Sequence, residues 1–164
     1  MDYFSAMKAA TINELKQELL NEKPAKLVEL CIRLARFKKE NKELLTYLLF
    51  EAHDTEAYIK SVIQEMDSNF ETINKSNAYF VKKTLRKILR ITHKFIRYSG
   101  SDIVATELLI HFCKTVKKMD KSITTNQVII NIYQNQLKKI NKAIAAMHED
   151  LQYEYLKEVE TLSN

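Results

Sequence analysis

The chain has one glycine, Gly100, and one proline, Pro24, in 164 residues. Tight strand hairpins and positive-φ turns rely on glycine, so this shortage argues against a β-rich fold. It also excludes glycine-rich phosphate loops, and with them the Walker A and dinucleotide-binding fingerprints. Cysteine is sparse as well. Cys31 and Cys113 stand alone, without a CxxC, and read as buried reduced thiols in a cytoplasmic protein. Long apolar runs are missing. The longest, Leu44–Phe50, is interrupted by Thr46, far short of the roughly 20 residues of a membrane span. The opening MDYFSAMKAA has an acid at position 2 and no apolar core, so no secretory signal is expected.

Metal-site spacings are equally scarce. HExxH, HxxxH and ExxH do not occur, so zincin and di-iron bundle sites lack their ligands. His53/Glu56 and Glu107/His111 each share a helix face, and His111/Cys113 are close in sequence, but two groups do not make a site. A Cys/His nucleophile built from Cys113, His111 and Glu107 would need a pocket to assemble it. No catalytic residue, metal or cofactor is therefore assigned.

What is present favours helix. Leu, Lys, Glu and Ala are abundant, and apolar residues recur at helical spacing. The expected fold is all-α, a single domain over 1–164 with about seven helices. It would form either a bundle or a short HEAT-like stack of antiparallel hairpins. Thr11 and Glu14 fit a capping box. Pro24 suits the first turn of a second helix. Asn41 is expected to cap a third and Asp54 or Thr55 a fourth. Residues 68–77 read as an internal hinge, with Phe70 and Ile73 tacked to the core. Asn77 or Ser76 should start the next helix, Gly100 should close it in the left-handed conformation, and Ser101 should cap the one after. A long last helix is expected over about 123–162, with an apolar residue every three or four positions. At 1.5 Å per residue it would reach roughly 60 Å, well beyond the ~35 Å of a compact domain this size. Such a helix must bend, or project and self-associate.

One local pattern resembles a known module. Thr11–Leu19 followed by Lys26–Leu30 resembles the two halves of a SAP-type helix–turn–helix, a small DNA-binding motif. The connecting stretch is too short, and Asn21-Glu22-Lys23-Pro24 lacks the glycines such modules use. No site residues are assigned there.

The most informative stretch is 78–98. Val81, Leu85, Ile88, Leu89, Thr92, Phe95 and Ile96 fall on one helical arc, which makes this the expected core helix. Lys82, Lys83, Arg86, Lys87, Arg90, Lys94 and Arg97 fall on the opposite arc, with His93 at its edge. No acid lies between Glu71 and Asp102. The net charge is +5, and Lys75 to Arg97 alone supplies +8, so the rest of the chain sums to −3. Like charges at i,i+4 (82/86, 83/87, 86/90, 90/94) each cost a helix about 0.2–0.5 kcal/mol at low salt.

Three partners for this face compete. One is internal: the acidic residues Glu149, Asp150, Glu154, Glu158 and Glu160. The second is a protein, and the third a nucleic acid bound through its phosphates. Tyr79 is the only aromatic on the basic arc, which argues against a base-stacking platform. The leading expectation is a non-enzymatic protein-interaction or scaffold module, with self-association through the C-terminal helix. The alternative is a sequence-nonspecific nucleic-acid or polyanion binder that uses the seven basic residues above.

Overall fold

The computed structural model describes residues 8–163. It is all-α, with nine α-helices and one π-helical turn among the described residues. The chain divides into two compact units, one up to Thr46 and the other from Tyr47 onward.

The first unit holds α1 (Ile12–Leu20), α2 (Pro24–Phe37) and α3 (Lys39–Thr46). Thr11 and Glu14 form the capping box: the Thr11 hydroxyl accepts from the Glu14 N–H, and the Glu14 carboxylate accepts from the Thr11 N–H at 2.7 Å. Pro24 opens α2, where its missing N–H costs nothing. Asn41 does not cap α3, which already begins at Lys39. Its amide instead donates to the Leu34 carbonyl at 2.9 Å, satisfying an orphan acceptor at the end of α2. None of the three helices contains a buried residue, so Cys31, expected to be buried, is exposed on α2.

The second unit begins with the π-turn Tyr47–Glu51 and continues through α4 (Thr55–Glu71), α5 (Ala78–Ser99), α6 (Asp102–Lys117), α7 (Lys121–Thr124), α8 (Gln127–Ala145) and α9 (Glu149–Ser163). The side chain of Asp54 caps α4, Asn77 caps α5 and Ser101 caps α6. Gly100 ends α5 at φ 60°, and its N–H donates to the Ile96 carbonyl. α4 runs on to Glu71, so the non-helical link before α5 is residues 72–77. Phe70 and Ile73 are both buried.

The expected helix over 123–162 is broken twice. Asn126 caps α8 through its side chain, and α8 ends at Ala145, with Ala146 as its C-cap. Three residues later α9 starts and folds back: the Tyr133 hydroxyl, early in α8, donates to the Leu162 carbonyl, late in α9, at 2.7 Å. This antiparallel return buries Val159 and Leu162 in the common core. Continued straight, the helix would carry both away from it.

The core helix also differs from expectation. α6 is the element that α4, α5, α8 and α9 all pack against. It buries eight residues, including Val104, Leu108, Phe112 and Cys113, all fully enclosed. α5 buries five on one face. A helix that is apolar most of the way round belongs at the centre, whereas a two-faced helix belongs at the edge.

Candidate functional site

α5 meets the core through Val81, Leu85, Ile88, Leu89 and Thr92. Its outer end is pinned from the side: the Tyr58 hydroxyl on α4 donates to the Phe95 carbonyl at 2.9 Å. Burial, then the nearby Glu51 carboxylate, pushes the Tyr58 phenol up, so it stays a neutral donor. Phe95 stacks edge-on against Tyr58 and Tyr98. These contacts fix the rotation of α5 about its axis and hence which arc faces outward.

That outward arc carries the cations. Lys83, Arg86, Lys87, Arg90 and Arg97 are exposed, while Lys82 and Lys94 are half-buried. Among the described residues, Lys82, Lys83, Arg86, Lys87, Arg90 and Arg97 pair with no carboxylate. The long side chains of Tyr79, Lys82, Lys83, Arg86, Lys87 and Arg90 rim an open depression along the helix. At its N-terminal end the Lys82 ammonium lies 5.2 Å from the centre of the Tyr79 ring. Tyr79 and the neighbouring Phe80 are both exposed.

The acidic helix α9 lies elsewhere. It packs on α8 and α6. Glu158 pairs with Lys114 of α6, and Lys117 donates to the Thr161 carbonyl at 2.7 Å. α6 supplies the cations that α9 uses, so those of α5 are left without them.

One further cation joins the face from α8, and the sequence reading missed it. The Lys139 ammonium lies 3.0 Å from His93 Nε2, and Gln136 Oε1 lies 3.3 Å from the same nitrogen. Gln136 is held in place by donating its amide to the Ile132 carbonyl at 3.1 Å. Burial, followed by the charge of Lys139, holds the His93 imidazole below its usual range. The Gln136 hydrogen bond opposes this, and Arg97 adds to it. Lys139 and Gln136 thus meet at one imidazole nitrogen, and through it His93 joins the basic arc of α5 to α8. The visible signal was the Lys138-Lys139 pair on α8. What could not be read was that His93 would bring it alongside.

The other sequence candidates do not converge. His111 Nε2 lies 2.6 Å from Asp67 Oδ1 on α4, and Glu107 accepts from the Tyr155 hydroxyl at 2.7 Å. Cys113 is fully enclosed, and burial pushes its thiol up to about 12. His111 and Glu107 thus face different partners, and Cys113 faces the core. Among the described residues, no three His, Cys, Asp or Glu side chains are grouped so as to hold a metal ion. None of the described helices is long and apolar enough to cross a membrane. Comparisons with protein-family models, with curated proteins and with solved structures find no match.

Proposed function

We propose that this chain is a non-enzymatic helical interaction module that binds an extended polyanion along the outer face of α5. The observation that carries the reading is the row of six cations, from Lys82 to Arg97, with no carboxylate partner among the described residues. An internal partner would have lowered their mutual repulsion. Without one, an external anion relieves the i,i+4 like-charge cost and releases its own counterions. Nucleic-acid phosphate is the anion chemistry that best fits a linear row of point charges. Contacts of this kind carry little sequence information. A cytoplasmic setting agrees with the reading, since exposed Cys31 would there remain a free thiol.

The test is binding of a duplex DNA oligonucleotide across a salt series. Six phosphate contacts predict an affinity loss of about 10³-fold between about 50 and about 200 mM salt. Combined reversal of Arg86→Glu, Lys87→Glu and Arg90→Glu should abolish binding and leave the helical circular dichroism intact. No detectable binding at the low-salt end would sink the proposal. The protein-scaffold reading would then take its place, with a partner presenting an acidic surface.

A further inference from the structure

The first unit poses a separate problem, which involves none of the residues of the polyanion face. Its helices have nine, fourteen and eight residues. Helices shorter than about 12–15 residues are marginal in water unless an apolar face is packed. Yet no residue in these three is buried, and α1 makes no extensive contact with α2 or α3. Ile12, Leu15 and Leu19 form one stripe along α1, and Leu34 and Phe37 an open edge on α2. Ile12 is 81 % exposed and Phe37 77 %. The five apolar residues on these two faces present on the order of 600 Å² to solvent, which with a polar rim approaches the roughly 800 Å² each partner contributes to a standard interface.

The charges indicate what covers it. Residues 12–22 carry three acids, Glu14, Glu18 and Glu22, against Lys16. Residues 23–38 carry five cations, Lys23, Lys26, Arg33, Arg36 and Lys38, against Glu29. At 100° per residue, Glu18 borders the apolar stripe of α1 and Arg33 borders the Leu34/Phe37 edge of α2, while Lys26 is already paired with Glu29 at 3.0 Å. Glu18 and Arg33 pair with nothing among the described residues. A two-fold axis places the same patch of two copies face to face, so each α1 meets the α2 of its counterpart. Glu18 of each copy then faces Arg33 of the other, and apolar faces apolar between the two pairs.

We infer that the first unit is a homodimerisation surface, in which the α1 of each chain docks on the α2 of a second copy. Interfaces of this size range from µM to pM in affinity. Sedimentation of the full chain over about 0.1 to about 200 µM should therefore show a species of twice the chain mass. Leu15→Glu with Phe37→Glu should leave a monomer with unchanged helical content in the second unit. Glu18→Arg or Arg33→Glu alone should weaken the dimer about tenfold, because symmetry repeats each pair. Combined, the two changes should restore it. A monomer at every concentration overturns the inference, as does a dimer that survives the Leu15/Phe37 variant. A double reversal that fails to recover what both single changes lost would overturn the α1-on-α2 pairing. DNA binding by the monomeric variant keeps this outcome separate from the polyanion reading.

Discussion

α5 and α6 are consecutive helices joined through Gly100, and they solve opposite problems. α6 is apolar most of the way round and is enclosed by four neighbours. α5 is divided lengthwise, with five residues in the core and a row of cations outside. The stability of the second unit therefore resides mainly in α6, and its surface chemistry mainly in α5. A helix with the more conspicuous sequence pattern is not for that reason the structural centre.

Substitutions should separate the two roles. The largest effect is expected from Phe112→Ala on α6. The ring is fully buried against Phe70, with centroids 5.6 Å apart. Its removal should cost about 3–5 kcal/mol of unfolding free energy in urea titration. If α5 rather than α6 held the core together, Leu85→Ala would cost more than this.

Thr106→Val should act in the opposite direction. Among the described residues, the buried Thr106 hydroxyl has no hydrogen-bond partner. Replacing it with a methyl group of similar shape removes an unmet polar group, for a gain of about 1 kcal/mol. A loss in the same titration would mean that the hydroxyl has a partner in solution.

Acidification probes the seam between α5 and α8. Burial and Lys139 lower the folded-state pKa of His93, so the unfolded chain binds that proton more readily. Stability from this group is complete above the unfolded value of about 6.5 and falls as pH drops toward the folded value. Thermal melts should show this acid loss in the parent chain and a smaller one in His93→Gln. Equal losses would place the titrating group elsewhere.

The smallest effect is expected on the outer face of α5. Arg86→Glu removes like-charge pairs with Lys82 and Arg90, and should raise stability by about 0.4–1 kcal/mol at low salt. The gain should vanish in high salt. The same substitution should weaken DNA binding, so stability and affinity would move in opposite directions.

Local chemistry was the most legible part of the sequence. Thr11/Glu14, Asp54, Asn77, Gly100 and Ser101 all sit where side-chain oxygens or a missing Cβ require them. The two arcs of α5 were equally clear, because 3.6-residue periodicity sorts them without reference to neighbours. Two features were not legible. Residues 144–151 keep an apolar spacing of three or four (Ile144, Met147, Leu151) through good helix formers, so nothing local marks the turn at Ala146–His148. The turn is imposed by the gain from returning Val159 and Leu162 to the core. The central place of α6 was hidden for a related reason: a helix buried on most sides shows no stripe to follow. For the candidate site, the cations of α5 were readable, whereas the preference of Glu158 for Lys114 and the approach of Lys139 depended on tertiary packing.

The return of α9 also bears on how the molecule opens. Two of its fifteen residues are buried, against eight of sixteen in α6. Much of its hold is polar, through Lys114, Lys117, Tyr133 and Tyr155. Local opening requires only the free energy of the contacts it breaks, and here those are few and close to water. Amide exchange should therefore reach α9 by sub-global release, well before α6, whose amides should exchange only when the whole unit unfolds. The C-terminal helix acts as a clasp that can open without unfolding the molecule it closes.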